Sequence, residues 1–158
     1  MKKKTPTASP QPAACEFCAS DSGGDVLWRD SKCRIVLVGD RDYPGFCRVI
    51  WNAHVKEMSD LTPTERRHCM RTVFAVERAL RTLLAPDKIN LASFGNVVPH
   101  LHWHIIPRST GDAHFPNPVW GRRRRPDVPT LDSRNREKLR TALVRTLAKS
   151  LGVRRVSG

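Results

Sequence analysis

Three of the six histidines in this 158-residue chain stand at alternate positions of one short apolar segment, as His100, His102 and His104. In a β-strand, alternate side chains share one face and lie about 6.6–7 Å apart. Two neighbouring imidazoles could therefore straddle one small charged group or one metal ion, whereas all three could hardly converge on a single ion. The spacing predicts a strand that presents imidazoles on one face and apolar side chains on the other.

This pattern admits three chemistries. A surface strand with incidental histidines is the least favoured, because histidine is scarce in the chain and the alternation is strict. Two of the three imidazoles could bind a metal ion, as in many zinc enzymes. Alternatively, a neutral imidazole could attack phosphorus while a second, protonated imidazole assists the leaving oxygen. The residue types alone leave the last two alternatives open.

A second candidate group is the Cys-x-x-Cys pair Cys15 and Cys18. This spacing is compatible with a redox pair or with metal binding. The other cysteines, Cys33, Cys47 and Cys69, stand in apolar runs and are expected to be buried core residues. Five cysteines form an odd number, and nothing indicates secretion, so we expect thiols rather than a disulfide framework.

The elements that must position these groups are strands followed by helices. β-Branched and aromatic residues separated by turn residues predict an antiparallel meander over 26–28, 34–38 and 46–51. Two further strands are expected in 89–96 and 100–107, the second ended by Pro107.

Two helices are expected. Thr62, Pro63 and Glu65 form a capping-box pattern at the start of a main helix over about 63–85. Leucines at every fourth position predict a shorter amphipathic helix within 133–151. The fold class is therefore α+β, with an antiparallel sheet of about five strands, one main helix and a C-terminal helix.

Length and composition suggest one domain over residues 15–158, preceded by a disordered tail over 1–14. The sequence has neither an apolar signal segment nor a run of about 20 apolar residues, so we expect a soluble, cytoplasmic protein without membrane contact. The formal charge of +13 favours anionic partners such as phosphates or nucleic acid.

The string His-Leu-His-Trp-His-Ile-Ile resembles the signature of the histidine triad (HIT) family of nucleotide hydrolases and transferases. Residues 40–65 are similar to the strand, Pro-Gly, strand, His and helix segment of that family, and the pattern N-x4-G-N from Asn90 occupies the place of its Gly-Gln loop. The resemblance covers residues 15–108. It implies a HIT-like α+β fold, a homodimer and a nucleotide held against the histidine strand.

Carried over by position, the resemblance gives each histidine a catalytic role. His102 would attack the α-phosphate of a (di)nucleoside polyphosphate or nucleoside phosphoramidate and form a covalent nucleotidyl-histidine intermediate. His104 would contact the phosphate and the leaving oxygen, and His100 would orient the site. The implied activity is that of a hydrolase or nucleotidyl transferase acting on phosphoanhydride or phosphoramidate bonds, without an organic cofactor.

The resemblance also implies substrate-binding residues. Asp40 would bind the ribose hydroxyls, although a simple turn aspartate is an alternative. Asn90, Gly95 and Asn96 would form the phosphate-facing loop. Arg108, directly after the strand, could attract additional phosphates.

A subset of HIT proteins, and the related galactose-1-phosphate uridylyltransferases, hold zinc with a Cys-x-x-Cys pair, a central histidine and the first histidine of the active-site strand. The matching residues are Cys15, Cys18, His54 and His100. Four such ligands would complete the closed shell of a structural Zn²⁺ site. A reduced cysteine pair without metal is the alternative.

Two other functions are considered. A zinc-bearing nucleotide-binding or regulatory module with little turnover is suggested by Val97, which stands where the family commonly has Ser or Thr. Action on nucleic-acid ends is suggested by the positive charge, but it ranks last because the chain has no appended zinc finger.

Overall fold

The computed structural model describes residues 15–20, 24–128 and 130–152; the predicted tail over 1–14 lies outside the described residues. In chain order the elements are α1 (Glu16–Ala19), β1 (Asp25–Arg29), β2 (Cys33–Leu37), β3 (Cys47–Trp51), a 3₁₀ turn (Met58–Asp60), α2 (Pro63–Leu84), β4 (Lys88–Ala92), β5 (His102–Arg108) and α3 (Ser133–Leu151).

The strands form one sheet in the order β1-β2-β3-β5-β4, and every neighbouring pair is antiparallel. The expected α+β class with a five-stranded antiparallel sheet is confirmed. Because β5 inserts between β3 and β4, the histidine strand lies inside the sheet. Its position is therefore fixed from both sides.

The expected end of this strand at Pro107 is wrong by one residue. Pro107 pairs with Ile89 of β4, and β5 continues to Arg108. Pairing with β3 has already ended at Ile105, so Pro107 lies where β5 is locally an edge. Sheets accept proline at such an edge because proline lacks a backbone N–H, and on the unpaired side no interstrand hydrogen bond requires one.

Helix α2 begins as the sequence predicts. The Thr62 hydroxyl accepts a hydrogen bond from the backbone N–H of Glu65, and the Glu65 carboxylate accepts one from the backbone N–H of Thr62. The helix ends at Leu84, where Ala85 takes a left-handed conformation with φ of 44°. The main helix over about 63–85 is thus confirmed to within one residue.

Helices α2 and α3 cover one face of the sheet and bury the main apolar core against it. Helix α3 contributes leucines at every fourth position, as predicted: Leu139, Leu143 and Leu147. The inward residues of β3 and β5 include Val49 and Ile105, both fully buried. The residues that alternate with these along each strand, including Arg48 on β3 and His104 on β5, therefore face the opposite side of the sheet.

That opposite side is covered only in part, by α1 and by the loops that precede and follow β5. Among the described residues, no helix combines the length and apolarity that crossing a bilayer would require.

Candidate functional site

A cleft of about 700 Å³ lies over the sheet face that carries the histidines. His102 and His104 line it from β5, and the loop 94–98 closes one side. Asp40 and Arg48 line it from the β2–β3 side. The fold thus brings the two predicted phosphate-facing histidines into one accessible space.

His102 has a defined tautomer. Its Nδ1–H donates a hydrogen bond of 2.6 Å to the backbone carbonyl oxygen of His100. Since a carbonyl only accepts, Nδ1 carries the proton and Nε2 keeps its lone pair. Burial lowers the pKa of His102, and the nearby Arg48 charge lowers it further, against the opposing effect of the hydrogen bond to His100. The neutral, nucleophilic form is therefore favoured at neutral pH.

His104 is held between aromatic rings. Its ring stacks on Phe46 at 5.4 Å and meets Phe94 edge-on at 5.5 Å, and its centroid lies 4.8 Å from that of His102. Burial lowers the pKa of His104 to about 4, with contributions from the charges of His102 and Arg48. The protonated second imidazole expected from the sequence is thus the minor form in the cleft without bound phosphate.

His100 lies before the strand that carries the other two histidines, so the strand expected to begin at His100 begins two residues later. His100 itself lies in a bend before β5 begins at His102. Its ring is fully buried, and its Nε2–H donates a hydrogen bond of 2.6 Å to the backbone carbonyl oxygen of Trp51. The Nδ1 lone pair consequently points away from the cleft, towards the two cysteines of the N-terminal segment.

The donor atoms of Cys15, Cys18, His54 and His100 all lie within 4.8 Å of one another. The Nδ1 atom of His100 is 3.4 Å from Cys15 Sγ, 3.5 Å from Cys18 Sγ and 3.3 Å from His54 Nδ1. A regular zinc tetrahedron places two ligand nitrogens about 3.3 Å apart and a nitrogen and a sulfur about 3.5 Å apart. These four residues could bind a metal ion with little rearrangement.

The cluster of Cys15, Cys18, His54 and His100 shares one short segment with the cleft. Helix α1 begins between the two cysteines, and its Phe17 ring lies 4.8 Å from the ring of His102. Burial and the neighbouring Cys15 raise the pKa of the Cys18 thiol to about 11. Cys18 therefore needs a cation nearby before it supplies a thiolate at neutral pH.

Three of the predicted substrate-binding residues line the cleft: Asp40, Gly95 and Asn96. One oxygen of Asp40, Oδ1, accepts hydrogen bonds from the backbone N–H groups of Asp42 and Tyr43, so the residue is also a turn aspartate. Gly95 has a φ of 65°, a conformation that favours glycine. The two alternatives raised for Asp40 are therefore compatible.

The other two predicted substrate-binding residues, Asn90 and Arg108, are not brought to the histidine cleft. The guanidinium of Arg108 is 3% exposed and makes an ion pair of 2.6 Å with Asp112. Its Nη1 donates to Asn90 Oδ1 at 2.8 Å. Both side chains are committed to each other and to the loop after β5, so the structure gives no support to a substrate role.

Sequence reasoning missed two groups. Arg48 stands directly opposite His104 in the β3–β5 pairing and lines the same cleft. Applying the rule that alternate side chains of a strand share one face to β3, as well as to the histidine strand, would have identified it. His68 Nε2 lies 2.8 Å from Asp30 Oδ2 and 3.8 Å from Cys33 Sγ, and no spacing rule points to this cluster. Cys33 is fully buried there, as predicted for the cysteines in apolar runs.

Comparisons with known proteins agree with this geometry. A family model described as the HIT domain matches residues 20–111. The chain is 30% identical over 123 residues, 72% of its length, to the AP-4-A phosphorylase of Mycobacterium tuberculosis. It is 32% identical over 106 residues, 64% of its length, to the asymmetrical bis(5'-nucleosyl)-tetraphosphatase of Schizosaccharomyces pombe. The chain spans only 63% and 58% of these two relatives.

Solved structures give the same result. A histidine triad protein from Bradyrhizobium japonicum superposes with a TM-score of 0.71 at 30% identity, covering 80% of this chain and 92% of that one. A zinc-bound histidine triad family protein from Mycobacterium smegmatis superposes with a TM-score of 0.60 at 26% identity, covering 86% and 94%.

Proposed function

This chain belongs to the histidine triad (HIT) family, and we propose that it cleaves nucleotides at the α-phosphate through a covalent nucleotidyl intermediate on His102. Relatives named for diadenosine tetraphosphate phosphorolysis and for dinucleoside tetraphosphate hydrolysis support a (di)nucleoside polyphosphate as substrate. A nucleoside phosphoramidate would suit the same chemistry.

The observation that carries this proposal is the state of His102. Its proton is held on Nδ1 by the carbonyl oxygen of His100, and its pKa is lowered by burial. Nε2 is then a neutral nucleophile without needing a separate base. An imidazole on a buried strand is also held in one orientation, which favours in-line attack.

In the first step, His102 Nε2 forms a bond to the α-phosphorus while the bond to the leaving oxygen or nitrogen breaks. The leaving group carries away the electron pair; a phosphate leaves as an anion, whereas an amine must take up a proton. In the second step, water or another acceptor attacks the same phosphorus and the N–P bond breaks. A proton from the water is released, and His102 returns to its neutral form.

His104 acts on the leaving side of this reaction. A pKa of about 4 keeps the His104 imidazole neutral when no phosphate is bound. In that form its one N–H can donate a hydrogen bond, but the ring has no additional proton to transfer to a leaving group. Negative phosphate oxygens beside the ring stabilise the imidazolium and raise this pKa. We propose that substrate binding itself recruits His104 as proton donor, which suits a leaving group that needs protonation.

We propose that Asp40 binds the ribose hydroxyls through Oδ2, the oxygen that does not cap the turn. Gly95 and Asn96 would supply a close backbone approach and an amide donor to the phosphate.

Zinc is the metal we propose for the Cys15, Cys18, His54 and His100 cluster, since two sulfurs and two nitrogens at tetrahedral spacing suit this ion. The ion would be structural and would tie the N-terminal segment to the start of β5. Reduced thiols are a condition of this role, and they are consistent with a cytoplasmic location, which we also propose.

A trapping experiment tests the reaction. The protein is mixed with radiolabelled nucleotide substrate, quenched and digested, and the adduct is located by mass spectrometry. We expect a nucleotidyl group on His102 and loss of both adduct and turnover in His102→Ala. His68→Gln, which changes a histidine outside the cleft, is the control. Full turnover in His102→Ala would refute the mechanism.

The second candidate function is a nucleotide-binding module with little turnover. Val97 is 93% exposed in the loop that closes the cleft, so the family's hydroxyl donor is replaced by an apolar side chain. Nucleotide binding by calorimetry without adduct or product would favour this alternative. Restored turnover in Val97→Ser would identify the missing hydroxyl as its cause.

We propose, from the family resemblance, that the chain forms a homodimer. Strand β4 is an edge of the sheet, and Phe94 and Trp120 are 42% and 67% exposed beside it. A sheet edge with adjacent exposed aromatic side chains is a suitable surface for a second copy. Light scattering coupled to size exclusion measures the mass; a monomer at high concentration would contradict the proposal.

A further inference from the structure

Arg48 is a positively charged residue inside the histidine cleft. It is half-buried on β3, and its guanidinium carbon lies 5.8 Å from the centre of the Phe17 ring and 5.5 Å from that of Phe46. Its Nε is buried and has no hydrogen-bond partner within the described part of the chain. A buried donor without a partner is costly, so this nitrogen is suited to an acceptor on a bound ligand.

Arg48 differs from two more deeply buried arginines in where its guanidinium lies. Arg108 is bound to Asp112 and Asn90, and it supports the loop after β5. Arg34 donates to the backbone carbonyl oxygen of Phe17 at 2.6 Å and so fixes the segment between the cysteines. Arg48, in contrast, lines the open cleft, where its guanidinium lies near the rings of Phe17 and Phe46 and within electrostatic reach of the Glu16 and Asp40 carboxylates.

The position of Arg48 in the cleft indicates which part of a nucleotide it meets. This step rests on the proposed function, in which the phosphate lies at His102 and the ribose at Asp40. Phe17 and Phe46, whose rings both lie within 6 Å of the guanidinium carbon, line the cleft together with Arg48 and give this part of it apolar walls. A planar nucleobase fits against such walls, with its polar edge towards Arg48.

The chemistry of the guanidinium then sets a preference. Arginine only donates hydrogen bonds, and its fork matches two adjacent acceptors. Guanine presents such a pair, O6 and N7, whereas adenine presents one acceptor beside an amino group that also donates. We propose that Arg48 is a specificity-determining residue that makes this cleft prefer guanine nucleotides over adenine nucleotides.

Calorimetric titration of the full chain with GMP and with AMP tests the preference without requiring turnover. We expect GMP to bind about tenfold more tightly than AMP, the ratio that a bidentate arginine contact typically gives. Arg48→Leu, which keeps an apolar side chain near the two rings, should abolish this ratio. Arg48→Lys should also lose most of it, because an ammonium keeps the charge but not the fork.

The matched control is Arg124→Leu, which removes one charge from an exposed loop residue and should leave the ratio unchanged. Equal affinities of the unaltered protein for GMP and AMP would refute the inference whether or not the variants fold. An equal loss for both nucleotides in Arg48→Leu, rescued by Arg48→Lys, would also overturn it and would identify Arg48 as a phosphate ligand. If neither nucleotide binds, the proposed function fails, and the inference fails with it.

Discussion

The lowered pKa of His104 predicts a specific loss of stability in mild acid. The folded protein holds this imidazole neutral, with the pKa lowered from 6.5 to about 4 by burial and neighbouring charges, whereas the unfolded chain takes up a proton near 6.5. Stability is therefore full above pH 6.5 and is lost as the pH falls from about 6.5 towards about 4. At about pH 5 these two pKa values correspond to about 2 kcal/mol.

Partial exposure of the ring to solvent reduces this value to about 1–2 kcal/mol. The assay is urea unfolding at about pH 7.5 and about pH 5, for the unaltered chain and for His104→Gln. Gln replaces the imidazole with a polar group that does not titrate. The unaltered chain should lose about 1–2 kcal/mol more than His104→Gln across this interval. Contributions from the four proposed metal-binding residues are common to both proteins and cancel in the difference.

Identical losses in the two proteins would refute the reasoning, because they would mean that His104 has the same pKa in the folded and unfolded states. A larger loss in His104→Gln would show that the folded protein binds the proton more tightly, the opposite sign.

Three further predictions concern the framework. Metal analysis should find about one zinc ion per chain, lost in Cys15→Ser and retained in Cys47→Ser, whose thiol lies outside the cluster; equal zinc content in both variants would contradict the site. Asp112→Ala, which removes the carboxylate partner of the buried Arg108 guanidinium, should lower the free energy of unfolding by about 3–5 kcal/mol, against about 1 kcal/mol or less for the exposed pair broken by Asp42→Ala; urea titration measures both, and similar losses would contradict the argument. Thr62→Ala removes the cap of α2 and should cost about 1 kcal/mol in the same assay, so an unchanged midpoint would show that the capping hydrogen bond adds no net stability.

The helices could be predicted closely because their signals are local. The Thr62–Glu65 capping box and the leucine repeat of α3 depend on neighbours in the chain, and both helices appear within a residue of their expected bounds. Strand bounds depend on pairing with other strands, which is not a local signal. Pro107 is a reliable strand terminator only when the strand is paired on both sides, and the sequence does not say where pairing with β3 ends.

The candidate site residues also divide into those placed by a local rule and those placed by contacts between distant parts of the chain. His102 and His104 were predictable because strand alternation is a local rule. The separate position of His100 depends on a bend before β5 and on the hydrogen bond to Trp51, 49 residues away in sequence. Asn90 and Arg108 were assigned from their place near the motif, but their side chains are bound to each other. Such pairing across strands is not visible in the sequence.

The hydrogen bond from His102 Nδ1 ends on a backbone carbonyl, that of His100. Every amino acid offers the same oxygen, so no single replacement can delete this acceptor; a change at position 100 can act on it only by moving the main chain. The position of the proton on His102 is in this sense a property of the chain path rather than of a neighbouring side chain. Over evolutionary time the side chains around the cleft can therefore diverge while the imidazole at position 102 keeps the lone pair on Nε2.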